Sequence, residues 1–359
     1  MKPLPLKNPP DTLCLLRLSA IGDVCHAVPV IRTLQKAWPD TKLTWVIGKT
    51  EHTLVGDIPD VEFIIFDKQA GWRAVRDLRR RLRGRRFDVL LHMQMSLRAS
   101  LASLAIPADI RLGFDRKRAG DLQWLFTNAH IPHVSRQHVM DSFLEFPRAL
   151  GIAEPSLRWD IPIPENARRQ AAELAPAGAY VVVSPGSSHA YRNWTPGGYA
   201  AVIDHLWSKH RLPVLLTGGP TPTEQTLGTD IVRHCQSKPR NLIGQTNLKT
   251  LLTLIHRARF LLSPDSGPAH MGTAVGTPVV SLFAATNPER ARPYFSADWV
   301  VNRYPDAVRA RYGKRANTIP WATRIRDAGT MARIPASEVI KTVDRLLAEI
   351  PDETPPPGH

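Results

Sequence analysis

The chain has 359 residues, 43% hydrophobic and 22% charged. That excludes a disordered, collagen-like or coiled-coil chain and, at roughly 100–200 residues per domain, points to two domains. Cys14, Cys25 and Cys235 form no CxxC pair and leave an odd count, which excludes a disulfide scaffold and favours a reduced compartment. The net charge of +15, with a pI near 10.2, calls for an anionic partner: nucleic acid, an anionic membrane surface or a phosphorylated substrate.

In chain order, residues 12–18 form a short apolar run that enters a loop, Ser19 to Asp23. Val24, Val28, Ile31, Leu34 and Trp38 then recur at helical spacing. Residues 42–47 and 61–66 are β-branched and aromatic, hence strands. Val75, Leu78 and Leu82 mark a helix face, and residues 87–92 read as the next strand. The Pro-rich stretch 155–164 is the expected domain boundary. A second series follows, with strands at 180–184, 212–217, 260–263 and 277–284. Thr195 before Pro196 and Asn247 before Leu251 are helix starts, and Pro335 opens a last helix carrying Val339, Val343, Leu346 and Ile350. Such alternation predicts α/β structure with parallel sheets. No apolar run approaches the roughly 20 residues of a membrane span. Asp11 and Arg17 interrupt what would be the apolar segment of a secretion signal, so a cytoplasmic location is expected.

Three strand-to-helix junctions carry the chemistry. Gly22 and Asp23 follow the first strand, where doubly wound sheets bind ligands. Asp23 reads equally as a helix N-cap or a catalytic carboxylate, and Pro29, inside the same helix, is a local cost of the kind that clusters at functional sites. The loop from Ser184 through Pro185, Gly186, Ser187 and Ser188 offers N–H and hydroxyl groups to a phosphate, and Arg192 adds a bidentate partner; an ordinary polar loop over Trp194 is the alternative. In the third, Asp265 ends a strand, Ser266 and Gly267 open a helix and His270 lies one turn on. Two basic stretches, seven Arg within residues 76–86 and the group Arg111, Arg116, Lys117 and Arg118, are solvated faces or contacts for anions. There is no GxGxxG after the first strand, no P-loop, no HExxH or Cys/His zinc cluster, no GxSxG and no Asp-x-Asp.

These junctions resemble those of glycosyltransferase family 9, the heptosyltransferases of lipopolysaccharide core assembly. The likeness is carried by residues 18–24, by 185–188 with 192–194, and by 264–270 with 279–283, in order along residues 12–345. It implies a GT-B fold, two Rossmann-like domains facing each other across a cleft: an acceptor-binding domain over 1–160 and a nucleotide-sugar domain over 161–350. The last helix is expected to pack back toward the first domain, and 351–359 is expected to be a disordered tail. The implied reaction is inverting, metal-independent transfer of L-glycero-D-manno-heptose from ADP-heptose to the inner core, without a cofactor. The acceptor is a lipid-anchored Kdo or heptose unit at the inner face of the inner membrane. The basic N-terminal domain would meet the anionic membrane surface there, with no nucleic acid involved. By the resemblance, Asp23 is the general base. Ser187, Ser188, Arg192 (where the family usually has Lys), Asp265, Ser266, Gly267 and His270 meet the donor's phosphates and sugar. Glu224 matches the acidic residue on the ribose and Thr246 lines the adenine. Arg73, Arg116 and Arg118 are candidates for the acceptor. Two alternatives stay open: a GT-B transferase using another nucleotide sugar, and a non-catalytic module for anionic glycolipid or nucleic acid on a degenerate scaffold.

Overall fold

The computed structural model describes residues 4–350; the tail expected over 351–359 lies outside the described residues. The chain divides between Pro162 and Ile163 into two compact units. Each unit is a six-stranded, all-parallel sheet with helices, the α/β class expected from the alternating pattern.

In the first unit the strands are β1 (Thr12–Leu16), β2 (Lys42–Gly48), β3 (Val61–Phe66), β4 (Phe87–His92), β5 (Ala108–Gly113) and β6 (Ala129–His130). Their spatial order is β3-β2-β1-β4-β5-β6. In the second they are β7 (Val181–Val183), β8 (Val214–Leu216), β9 (Arg240–Asn241), β10 (Leu261–Pro264), β11 (Val279–Phe283) and β12 (Val300–Asn302), ordered β12-β11-β10-β7-β8-β9. The two orders are the same doubly wound topology, traced from opposite edges. Each has one point where strand order reverses: between β1 and β4 in the first sheet and between β7 and β10 in the second. Ligands of such sheets bind outside the carboxyl ends of the strands at that point.

The central strands are mostly apolar because helices cover both faces. Leu13, Leu15, Leu16, Leu90 and Leu91 are fully buried, as are Val181, Val182, Val183, Leu261 and Leu262. The start signals held: the Thr195 hydroxyl accepts from Gly198 N–H at 3.1 Å, and the Asn247 side chain from Thr250 N–H at 2.9 Å. Val339, Val343 and Leu346 of the last helix, Ala336–Glu349, belong to the second unit's core.

One reading of Asp23 is corrected. The N-cap of the Ile21–Ala37 helix is Ala20, with no side-chain cap, so Asp23 stands in the first turn and does not cap the helix. Pro29 falls in the third turn. It has no N–H to give the Cys25 carbonyl, and the Trp159 indole supplies the missing donor at 2.8 Å. Arg32 donates to the Trp159 and Asp160 carbonyls at 3.1 and 2.5 Å, and Thr33 Oγ1 accepts from Ser156 N–H at 2.8 Å. The Pro-rich stretch is thus strapped along the helix that carries Asp23.

Candidate active site

The first sheet's reversal point brings together the segments after β1 and β4. Arg17, the residue after β1, is buried and forms an ion pair with Asp23. It also donates to the Met93 carbonyl at 2.5 Å and lies over the Phe143 ring, 5.1 Å from its centre. Gln94 accepts from Leu18 N–H at 2.6 Å and donates to Ser19 Oγ at 3.3 Å, tying the loop to the end of β4. Gly48, at the end of β2, stands where a Cβ would collide with the Leu18 carbonyl, so a larger residue would displace this loop. Arg17 Nε is buried without a hydrogen-bond partner. The sequence drew no attention to Arg17 beyond its interruption of an apolar run.

Beneath this site His92 is fully buried between Ser100 Oγ at 3.3 Å and the Gln123 amide at 3.2 Å. Burial, reinforced by the charges of Arg111 and Arg17, pushes its pKa down to about 3, so the ring is neutral.

The second sheet's reversal point joins the segments after β7 and β10. Arg192 donates to the Asp265 carbonyl at 3.0 Å, pairs with its carboxylate at 3.2 Å and donates to Ser188 Oγ at 3.2 Å. Its Nε, too, is buried without a partner. Ser187 is turned inward: its hydroxyl bonds the His189 carbonyl at 2.8 Å and Asn193 Oδ1 at 3.0 Å, shaping the loop. Ser266 is the N-cap of the Gly267–Ala274 helix, but its hydroxyl bonds Ser263 Oγ at 2.7 Å and makes no cap bond. With Pro268 in the first turn, this helix start leaves backbone N–H groups uncapped by any side chain. His270 is buried one turn on.

Glu224 is both a cap and a wall. It takes Gly219 N–H at 3.1 Å and the Thr221 hydroxyl at 2.9 Å, while Thr221 accepts its N–H at 3.3 Å. A Cβ at Gly186 would lie 2.6 Å from Glu224 Oε1, so a larger residue in the loop after β7 would push this carboxylate from its place. Thr246 is half-buried beyond β9, near Gly244, whose N–H bonds the Gly218 carbonyl at 3.0 Å.

The structure adds residues that sequence reasoning missed. Tyr191 stacks on His189 at 5.3 Å, and the guanidinium groups of Arg192 and Arg326 each lie 5.8 Å from its ring centre. Partial burial and then the charges of Arg192, Arg324 and Arg326 hold His189 below the usual histidine range. Arg324 and Arg326 flank the buried Ile325, whose N–H bonds the Ala285 carbonyl at 2.8 Å. Three arginines thus surround the loop after β7. No motif marks the latter two, which lie more than 130 residues further along the chain.

The three arginines suggested for the acceptor fare differently. Arg118 is committed to its own unit: it pairs with Asp115 and donates to Gln137 at 2.8 Å and the Pro132 carbonyl at 2.6 Å. Arg116 is exposed and lies over Trp124 at 4.5 Å, and Arg73 is exposed on the Trp72–Arg81 helix. The basic run is partly spent as well. Arg85 grips Glu62 with two nitrogens at 2.7 and 2.6 Å, and Arg86 bonds Asp109 at 2.5 Å.

Elsewhere, His205 and His210 both meet Asp344 Oδ1, at 2.8 and 2.7 Å, and Lys209 meets its other oxygen at 2.8 Å. The ligand-type atoms of His205, His210 and Asp344 lie within 4.8 Å of one another, the spacing of a cation site, although the Lys209 ammonium already occupies the second carboxylate oxygen. The sequence showed no such cluster, because Asp344 is 134 residues from His210. Partial burial raises the Asp344 carboxyl, but the bonds from His205, Lys209 and His210 outweigh it and hold the group well below the usual carboxylate range.

The signature of glycosyltransferase family 9 (heptosyltransferase) matches residues 75–317. The chain is 38% identical over 338 residues to the lipopolysaccharide core heptosyltransferase OpsX of Haemophilus influenzae, covering 94% of this chain and 97% of that protein. The chain belongs to glycosyltransferase family 9. Among solved structures, the family 9 glycosyltransferase of Veillonella parvula superposes with a TM-score of 0.78 at 22% identity, over 95% of this chain and 98% of that one. The Escherichia coli heptosyltransferase WaaC, solved with ADP, gives 0.71 at 18% identity, over 93% and 99%. The GT-B class implied by the resemblance is therefore the fold of this family 9 chain.

Proposed function

We propose that this transferase moves L-glycero-D-manno-heptose from ADP-heptose to the inner core of lipopolysaccharide, with inversion and with Asp23 as the general base. The observation that carries the reading is Arg192, which links Ser188 to Asp265 beside an uncapped helix start, with Arg324 and Arg326 close by. Backbone N–H groups, a hydroxyl and guanidinium groups are what a departing diphosphate needs. Glu224 would take the ribose hydroxyls and Thr246 the adenine edge. Asp265 and His270 would meet the sugar.

In the transfer step Asp23 takes the proton of the acceptor hydroxyl as that oxygen bonds to the anomeric carbon from the face opposite the diphosphate. The bond from that carbon to the phosphate oxygen breaks, and ADP leaves with its electron pair. Arg17 holds the Asp23 carboxylate in one orientation. Arg73 and Arg116 remain candidates for the acidic acceptor, at the inner face of the inner membrane. OpsX, named for the same core, supports lipopolysaccharide as the acceptor.

Asp23→Asn is the decisive variant. It keeps an oxygen for Arg17, whereas Asp23→Ala leaves the buried guanidinium with only the Met93 carbonyl and the Phe143 ring, so that a loss of stability would blur the reading. Loss of a general base slows transfer by about 10²- to 10⁴-fold. Asp23→Asn should show that loss in single-turnover assays, with ADP-induced thermal stabilisation unchanged. Transfer at the wild-type rate would remove Asp23 from the role.

A further inference from the structure

The described residues include fourteen large apolar side chains that are exposed, and six of them are gathered on one face of the first unit. Leu97, Leu101 and Leu104 recur every three to four residues along and just beyond the Leu97–Ser103 helix, on the side turned away from its buried Ala99, Ala102 and Ser103. The neighbouring short helix Gln123–Phe126 packs against it and adds Leu122 and Leu125. These five leucines are 45–63% exposed, and Met95 borders them. A patch of this make-up is far from the scattered single residues normal on a soluble surface.

Its surroundings are basic and aromatic. Arg98 is exposed within it, Lys117 is exposed near by, and Arg116 lies over Trp124 on the short helix. The Trp72–Arg81 helix, which packs on the leucine helix, carries Trp72 at 66% exposure with Arg76 over its ring at 4.5 Å. Outside the run 79–86, residues 72–125 hold seven Lys and Arg against five Asp. Met95 follows Gln94, whose side chain fixes the loop carrying Leu18 and Ser19, so the patch begins beside the Asp23 site.

We propose that this leucine face, and not the basic run 79–86, is where the protein enters an anionic bilayer, with the leucines among the acyl chains and the arginines at the phosphates. Two arms of the basic run are spent on Glu62 and Asp109, whereas among the described residues no side chain covers the exposed faces of the leucines. Apolar side chains with Arg, Lys and Trp at their margin match the layering of a membrane interface. A second copy fits less well, since facing patches would set Arg98, Arg116 and Lys117 against their own kind. The inference rests on the lipid-linked acceptor of the proposed function, and the two fail separately.

The test is co-sedimentation of the full chain with phosphatidylethanolamine vesicles containing phosphatidylglycerol, at low and high salt. The wild type should bind at both, because the apolar share is insensitive to screening. Leu101→Ser, Leu104→Ser and Leu125→Ser combined should cut binding by about tenfold or more at either salt, with an unchanged thermal midpoint. Leu104→Cys bearing an environment-sensitive fluorophore should shift to the blue on these vesicles. Wild-type binding by the triple variant, or no spectral shift, overturns the proposal. So does a concentration-dependent dimer that the same three changes dissolve. Loss of ADP stabilisation with vesicle binding intact would instead count against the proposed function alone.

Discussion

The indole of Trp159 stands in for an N–H that Pro29 cannot provide, and a double-mutant cycle can measure that substitution. The Cys25 carbonyl is buried and its bond from Trp159 Nε1 is 2.8 Å. Trp159→Phe keeps an aromatic ring there but removes the donor, leaving a buried acceptor unsatisfied at a cost of about 1–3 kcal/mol. Pro29→Ala restores a backbone N–H one helical turn beyond Cys25, which can then close the ordinary intrahelical bond. In the Pro29→Ala background, Trp159→Phe should therefore cost only its packing change. The cycle should show a coupling of about 1–2 kcal/mol, read from urea denaturation of the four proteins. Coupling below about 0.3 kcal/mol would refute the account, since the indole would then be no more than a packed ring. The same segment is held by Arg32 and Thr33 to the helix that carries Asp23, which ties the strap to the proposed general base.

Two further outcomes follow from the site geometry. Arg192→Met removes the bonds to Ser188 and Asp265 and should weaken ADP binding by about 10- to 100-fold in calorimetry, on the scale of charged hydrogen bonds; Arg192→Lys, which keeps the charge but not the fork, should recover part of it. Retention of full affinity by the Met variant would remove Arg192 from the donor site. Because His92 is held neutral down to about pH 3, the unfolded chain binds a proton there that the folded chain refuses. Stability should thus fall by about 1.4 kcal/mol per pH unit as pH drops from about 6.5 toward 3, over and above other groups. His92→Gln should remove that share of the slope in pH-dependent urea titrations; an unchanged slope would show that His92 is already charged in the fold.

Much of the scaffold was legible because its signals are local. Residues 61–66 and 87–92 are apolar runs of strand length between breakers, and both became strands with those bounds. Thr195 and Asn247 are caps that need only their own first turn. What escaped depends on distant neighbours. The two-residue strands β6 and β9 are too short to show a period and exist because a parallel edge was there to receive them. Arg17 acquires its meaning only when β1 lies beside β4, which brings the Met93 carbonyl to it across 76 residues. The basic run read as a solvated face or a contact for anions, and that Glu62 and Asp109, on neighbouring strands, neutralise part of it was not visible in the sequence. The leucine face was missed for the converse reason: a helical stripe normally predicts burial, and here the stripe faces outward.

The two reversal points use the same pair of groups in opposite ways. At the first, the guanidinium is enclosed and the carboxylate is open, with side-chain exposures of 9% for Arg17 and 35% for Asp23. At the second both are enclosed, 14% for Arg192 and 12% for Asp265. An open carboxylate held from behind can reach a hydroxyl that is not part of the protein and take its proton. A carboxylate enclosed as Asp265 is does not open onto such a hydroxyl; its bond fixes the angle of Arg192 instead. The difference in exposure, more than the residue types that both sites share, supports the proposed division of roles: Asp23 for proton transfer, and Arg192, held by Asp265, for binding charge.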